Sequence, residues 1–119
     1  MGEYPTLSAA QVLEGLKRYR RIAKQDTLAG DQALFRVRHA EARREVYGEL
    51  MALAERGDVK TVIDRSLQLY SQLPFVSSSG PEEYPEIKGK EDALENFFVM
   101  VGMDPKVRRE ARSQRPPLQ

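Results

Sequence analysis

The sequence contains no cysteine, no tryptophan and a single histidine, His39, among its 119 residues. Without cysteine, the chain can form neither a disulfide nor a thiolate metal site, and it has no thiol nucleophile. No apolar run approaches the roughly 20 residues that span a bilayer. Residues 1–6 lack the basic and apolar regions of a signal peptide. These absences predict a cytoplasmic protein with no membrane partner.

Motifs that carry chemistry are missing as well. No serine lies in a G-x-S-x-G turn, and no GxxxxGK[ST] loop occurs that would cradle a phosphate. A di-iron bundle would place glutamate three residues before a ligating histidine, but Arg36 precedes His39 at that spacing. We therefore expect a non-enzymatic protein with no catalytic residues, no metal ion and no cofactor. An enzyme that uses carboxylates alone is the minor alternative.

Apolar residues recur at helical spacing, and the alternation typical of strands is absent. The pattern predicts an all-α fold for a single domain of residues 1–119. We expect a bundle of four main helices, followed by a short basic C-terminal helix. The predicted inner residues are Leu13, Leu16, Phe35, Val46, Leu50, Leu53, Val62, Ile63, Leu67, Tyr70, Leu94, Phe97 and Phe98.

The first helix has a well-specified start. Ser8 and Gln11 form the S-x-x-Q pattern of a capping box, and Leu7 and Val12 are spaced as a hydrophobic staple. Gly30 is an efficient stop, because glycine adopts the left-handed conformation that ends many helices. Helix one is therefore predicted to begin after Ser8 and to end before Gly30.

The second helix is predicted from an Asp31 cap to about Arg56. Its apolar face is wide, because a stripe containing Tyr47 and Met51 runs beside the main one. Gly48 lies inside the helix, at a cost of about 1 kcal/mol relative to alanine. A close helix crossing or a slight kink would explain this glycine.

The remaining helices are marked by their caps. Gly57 closes helix two, Asp58 caps helix three, and Pro74 stops it. Helix four is predicted over residues 91–101. Asp104 and Pro105 then open helix five, with the aspartate as its cap and the proline at its first position. Helix five has two candidates for its inner side, Val107 and Ala111.

Two segments are predicted to lack regular structure. Residues 74–90 contain three serines, three prolines and two glycines, which indicates a long loop. Residues 115–119 contain two prolines and are predicted to form a flexible tail. His39 falls on the apolar stripe of helix two, so we expect it in the core or at a helix contact, with a pH switch or a polar partner contact as alternatives.

Charge is distributed unevenly, although the net charge is only +1. Residues 17–44 hold nine basic and three acidic residues, residues 80–95 six acidic and two basic, and residues 104–119 five basic and two acidic. Such asymmetry concerns partners more than fold. If helices one and two form a hairpin, their basic residues could share one side. The predicted partner-binding residues are Lys17, Arg18, Arg21, Lys24, Arg36, Arg43, Arg44, Arg108, Arg109 and Arg112.

One stretch resembles a known family. Residues 97–105 and the basic residues that follow to Arg112 resemble the C-terminal end of some phage small terminase subunits. At that end of those subunits, a helix, a glycine-hydrophobic-x-proline turn and a basic C-terminal segment recur. The small, helical character of the chain is also similar to that of the helical subunits of RNA-guided surveillance complexes. Neither resemblance assigns a role to a residue.

The sequence therefore predicts an accessory subunit of a nucleic-acid-handling complex. Its basic helical face would bind a phosphate backbone, a protein partner, or both. The alternative is a protein–protein adaptor or a self-associating homo-oligomer, suggested by the wide apolar face around Tyr47 and Met51. In a third interpretation, the basic residues are neutralised within the chain by the acids of residues 80–95.

Overall fold

The computed structural model describes residues 7–28, 34–76 and 84–118. These residues form five helices, which confirms the all-α class. The helices are α1 (Ala9–Leu28), α2 (Leu34–Ala54), α3 (Val59–Gln72), α4 (Pro85–Val101) and α5 (Pro105–Ser113). The predicted stop at Gly30 and cap at Asp31 lie outside the described residues.

Local caps fix several helix ends as the sequence predicted. The backbone N–H of Ser8 donates to Gln11 Oε1 at 2.8 Å, and the N–H of Gln11 donates to Ser8 Oγ at 3.1 Å. Asp58 Oδ1 accepts from the N–H of Lys60 at 3.1 Å, and Asp104 Oδ1 accepts from that of Lys106 at 2.9 Å. These bonds satisfy donors that have no partner inside the helix.

Helix α2 is the central element of the packing. It packs extensively against α1 and α4 and less extensively against α3, whereas α5 packs mainly on α3. The rings of Tyr19 and Tyr47 stack at 5.5 Å, and Asp26 pairs with Arg43. Because a later residue of α1 meets an earlier residue of α2, the two helices run antiparallel.

The core is built from apolar residues of all five helices. The fully buried large side chains are Val12, Leu16, Tyr47, Leu50, Val62, Ile63, Leu94, Phe97, Phe98 and Val101. Most predicted inner residues lie in this core. Leu13, Leu53 and Leu67 pack against its edge and are partly buried, as is Phe35. Val107 is 41% exposed, so Ala111 alone carries the predicted inner side of α5.

The predicted start of helix four is wrong. Helix α4 begins at Pro85, six residues before position 91, with proline in its first turn and Glu86 beside it. Proline suits this position, because the first helical N–H has no intrahelical partner. The predicted loop of residues 74–90 is correspondingly shorter at its C-terminal end, and its serines, Ser77 to Ser79, lie outside the described residues.

The close helix crossing lies at Gly89 rather than Gly48. A Cβ atom on Gly89 would lie 2.4 Å from the backbone oxygen of His39 and 2.9 Å from Cβ of Ala42. A Cβ atom on Gly48 would meet nothing within 4 Å. Glycine at position 89 therefore lets α4 approach the backbone of α2, and the crossing explanation for Gly48 is wrong.

The predicted flexible tail is also corrected where it is described. Arg115 is 8% exposed, and the N–H of Phe75 donates to the carbonyl of Pro116 at 2.9 Å. Phe75 and Pro117 form an isolated β-bridge. Residues 115–117 are thus held against the segment that follows α3. Sequence patterns missed this contact because it joins positions about 40 residues apart.

Candidate nucleic-acid interface

The outer side of α1 carries a row of cationic side chains. At helical spacing, Lys17, Arg21 and Lys24 follow one another along one face, while Arg18 and Arg20 flank them. All except the half-buried Lys17 are exposed, and Lys17 Nζ lies 3.9 Å from Glu14. We call these five residues the α1 basic row.

Four members of the α1 basic row have no ion pair or hydrogen bond in the part of the chain that the structure describes. They are Arg18, Arg20, Arg21 and Lys24. Arg20 was absent from the predicted set. The position of Arg20 beside Lys17, Arg21 and Lys24 on the helix was the sequence signal that could have placed it among the predicted binding residues. Within the described residues, these four cations thus form a positive surface on one helix that no carboxylate compensates.

The arginines of α2 behave differently. Arg43 pairs with Asp26, and only 15% of its side chain is exposed. Arg36 Nη2 lies 3.8 Å from Asp26 Oδ1, and Arg38 Nε lies 3.9 Å from Glu86 Oε2. The carboxylate of Asp26 therefore compensates two predicted binding residues, Arg36 and Arg43. Arg36 and Arg43 therefore do not contribute to the positive surface that lacks carboxylate partners.

Arg44 is the α2 residue that best extends the α1 basic row. The antiparallel register, with Tyr19 opposite Tyr47, places Arg44 at the level of residues 20–24 of α1. Its side chain is half-buried, and its Nε is buried without a hydrogen-bond partner among the described residues. Arg44 has no carboxylate partner among the described residues, so its charge adds to that of the α1 basic row.

The basic residues of α5 form a separate surface. Arg108, Arg109 and Arg112 line a cleft with Tyr70 of α3 and Glu95 of α4. Helix α5 packs mainly on α3, whereas α1 packs mainly on α2. The ten predicted binding residues are therefore split between two surfaces and the internal pairs of Asp26.

The acidic segment neutralises other parts of the molecule. His39 Nε2 lies 2.7 Å from Asp92 Oδ2, and Lys88 Nζ lies 3.2 Å from both Asp92 Oδ1 and Glu91 Oε1. Arg115 Nη1 donates to Glu91 Oε2 at 2.8 Å. Within the described residues, the acids of residues 84–95 thus compensate α2, α4 and the C-terminal segment and form no ion pair with the α1 basic row.

This polar network also shifts the acidity of its carboxyl groups. Burial pushes the pKa of Asp92 up, but the hydrogen bond from His39 and the charge of Lys88 outweigh it and hold the pKa below its usual range. Burial likewise opposes ionisation of Glu91, yet hydrogen bonds from Arg115 and Lys88 lower its pKa. Both groups are therefore held as carboxylates.

His39 is a helix-contact residue. It bridges α2 to α4 through Asp92, and its ring stacks on Phe35 at 5.6 Å between centroids. A histidine–carboxylate pair can act as a general base when a nucleophile is positioned beside it. No hydroxyl group in the described ranges hydrogen-bonds to either residue. The pair therefore joins two helices rather than activating a nucleophile in this part of the chain.

No protein-family model, curated protein or solved structure matches this chain significantly. Across the described residues, no helix is long and apolar enough to cross a membrane. No group of three acidic or histidine side chains capable of holding a metal ion gathers in those same residues. The resemblance of residues 97–112 to terminase subunits stays a prediction, and the charged surfaces are the features that point to a function.

Proposed function

We propose that this chain is a non-enzymatic accessory subunit of a nucleic-acid-handling assembly, and that the α1 basic row contacts the phosphate backbone. The supporting observation is the contrast between α1 and the rest of the molecule. Arg18, Arg20, Arg21 and Lys24 are unpaired in the described structure, whereas three of the four arginines of α2, Arg36, Arg38 and Arg43, meet carboxylates. Cations held along one helix face without counter-ions favour a polyanionic partner.

The dimensions of the row suit a backbone contact. From Lys17 to Lys24, the helix rises about 10 Å, and phosphates of one strand of B-DNA lie about 3.4 Å apart along the axis. The row therefore spans about three phosphates. The proposed contacts go to phosphate oxygens, which carry no sequence information. The proposed contact is thus independent of sequence and sensitive to salt.

The alternative role as an adaptor has lost the observation that suggested it. Tyr47 is 1% exposed and Met51 is 6% exposed, because both belong to the core of the chain. The wide apolar face of α2 is therefore covered by the other helices and is not available as a docking surface. For this reason, we do not extend the proposal to self-association.

Fluorescence anisotropy with labelled single- and double-stranded oligonucleotides across a salt series tests the proposal. The wild-type association constant should fall with salt with a logarithmic slope of about −3 on duplex DNA, which corresponds to three or four neutralised phosphates. The double variant Arg21→Gln/Lys24→Gln should weaken binding and reduce the slope by about 2, since each lost contact removes about 0.9.

The matched control is Arg56→Gln/Lys106→Gln, which removes the same charge from two exposed cations outside α1. This control should bind nearly as the wild type does. The proposal is wrong if the wild type does not bind at low salt, or if both double variants weaken binding equally. The second outcome would show that net charge alone, rather than the α1 basic row, drives association.

A further inference from the structure

A concave site of about 280 Å³ lies where α3, α4 and α5 meet. Tyr70 of α3 and Glu95 of α4 line it on one side. On the other side, α5 contributes Pro105 and three arginines, Arg108, Arg109 and Arg112. We call this site the α5 cleft. It is separate from the α1 basic row and could bind a ligand whether or not the α1 basic row binds nucleic acid.

Helical periodicity explains why the arginines converge. Positions 105, 108, 109 and 112 follow the i, i+3, i+4, i+7 pattern that defines one face of a helix. Ala111 on the neighbouring face is 7% exposed and anchors α5 in the core. Burial of Ala111 therefore fixes the rotation of α5, and this rotation turns the arginine face toward Tyr70 and Glu95.

The α5 cleft has an excess of positive charge. Three guanidinium groups face one carboxylate, and Glu95 Oε2 already accepts a hydrogen bond from the Tyr70 hydroxyl at 2.8 Å. No arginine of α5 lies within ion-pair distance of Glu95 in the described structure. The lining thus carries a net charge of about +2, and its concave shape focuses this charge on an occupant.

One of the arginines is held in place by an aromatic ring. The guanidinium carbon of Arg112 lies 5.0 Å from the ring centroid of Phe75. The guanidinium N–H groups of Arg112 have no hydrogen-bond acceptor among the described residues, so they stay available to donate to an occupant. Arg108 and Arg109 have no hydrogen-bond acceptor within the described part of the chain.

We infer that the α5 cleft binds the dianionic phosphate group of a phosphorylated ligand. A terminal phosphate carries a charge of about −1.5 to −2 at neutral pH, which matches the excess charge of the lining. Its oxygens accept paired N–H groups from arginine forks. A single carboxylate would leave one arginine uncompensated. The free oxygen of Glu95 then suits a hydroxyl or amine donor next to the phosphate.

The volume restricts the size of the occupant. Pockets for drug-sized molecules measure about 300–1,000 Å³, so a cleft of 280 Å³ suits a small phosphorylated compound or the phosphorylated end of a larger one. The phosphate could come from a free phosphorylated compound or from the phosphorylated end of an oligonucleotide. Both sources present the same dianionic group.

Isothermal titration calorimetry with inorganic pyrophosphate, at constant ionic strength in chloride, tests the inference. The wild type should bind pyrophosphate saturably. The double variant Arg108→Gln/Arg109→Gln should bind at least about tenfold more weakly, because it loses charge-assisted hydrogen bonds. Neither residue has a structural partner among those described, so this variant should fold normally. The variant Arg56→Gln/Lys106→Gln loses the same charge outside the α5 cleft and the α1 basic row and should keep wild-type affinity for pyrophosphate.

A second variant makes the test directional. Glu95→Gln keeps an acceptor for the Tyr70 hydroxyl but removes the opposing charge, so it should bind pyrophosphate several-fold more tightly, an effect that a purely structural glutamate would not show. The inference is overturned if the wild type shows no saturable binding, if the arginine double variant binds like the wild type, or if Glu95→Gln weakens binding.

Comparison of 5′-phosphorylated with 5′-hydroxyl oligonucleotides separates the two sources of the phosphate group. A preference for the phosphorylated end identifies a nucleic-acid end, and equal affinity identifies a free compound.

Discussion

The guanidinium of Arg115 and the carboxylate of Glu91 form a buried ion pair, with 2.8 Å between Nη1 and Oε2. Only 1% of the Arg115 side chain and 13% of the Glu91 side chain are exposed. Arg115 also donates to the carbonyls of Leu73 and Pro74, at 2.9 and 2.8 Å. One side chain thus ties together the end of α3, the first half of α4 and the segment after α5.

Replacing Arg115 should therefore destabilise the fold strongly. In Arg115→Ala, Glu91 and the two carbonyls lose a donor in a largely buried setting, and breaking a buried ion pair costs about 3–5 kcal/mol. Urea denaturation measures the free energy of unfolding directly. Lys106→Ala, on the exposed side of α5, serves as a control and should change it by less than about 0.5 kcal/mol. A loss of similar size in both variants would contradict the anchoring role of Arg115.

Alanine at two glycines should have opposite effects. Gly89→Ala places Cβ against the backbone of His39, which cannot move aside cheaply, so we expect a loss of about 1–3 kcal/mol from overpacking. Gly48→Ala meets open space inside α2 and should stabilise the protein by about 0.5–1 kcal/mol through helix propensity. Thermal and urea unfolding of both variants measure these changes. Equal changes in the two variants would refute the close approach of α4 to α2.

Stability should fall in acid because of the network around His39. The pKa values of Glu91 and Asp92 are held below their ordinary values of 4.5 and 3.8. A lowered pKa in the folded state contributes stability that is fully present above these ordinary values and is lost as pH falls through the folded-state pKa. Urea unfolding between neutral pH and about pH 3 should therefore show a declining free energy of unfolding.

The variant Asp92→Asn isolates one part of this dependence. At neutral pH it should be less stable than the wild type, because it lacks the charged partner of His39 and Lys88. As pH falls and Asp92 protonates in the wild type, the difference between the two proteins should shrink. A difference that stays constant down to about pH 3 would show that ionised Asp92 contributes no stability through its charge.

Asp26 offers a test of the α1 basic row that increases binding. Asp26→Asn removes a negative charge two residues after Lys24 and releases Arg43 from its ion pair. We expect affinity for DNA to rise by up to about fivefold, since a unit charge a few ångströms away is worth about 1 kcal/mol in water. Fluorescence anisotropy at a fixed salt concentration measures this affinity. Asp64→Asn on α3, an exposed carboxylate paired with Lys60, makes the same charge change and should have little effect. An equal gain from both variants would count against a contact localised on α1.

The parts of the fold that sequence predicted correctly depend on neighbours in the chain. The capping pair Ser8 and Gln11 and the cap at Asp58 need residues only three positions away, so their side chains and spacing were sufficient. Pro85 also carried a local signal, as a proline suited to a first turn. Among the serines, prolines and glycines of residues 74–90, however, it was interpreted as a helix breaker.

The parts that could not be predicted depend on how distant segments meet. Gly89 resembles a loop residue until the backbone of α2 is placed beside it. Arg115 resembles a tail residue until Glu91 and the carbonyls after α3 surround it. The basic residues show the same limit, because only the register of α1 on α2 brings Asp26 to Arg36 and Arg43. Clustered charge was visible in the sequence, but the distinction between paired and unpaired charge was not.

The central position of α2 has a consequence for how the molecule opens. Helix α1 is attached mainly through α2, whereas α2 is covered by α1, α4 and part of α3. Local fluctuations can therefore release α1 by opening one main interface, the one with α2. Exposure of the middle of α2 requires its interfaces with several helices to open together. Amide protons of α1 should exchange with deuterium well before those around Val46 and Leu50. The helix that carries the α1 basic row is therefore also among the first to open by local unfolding.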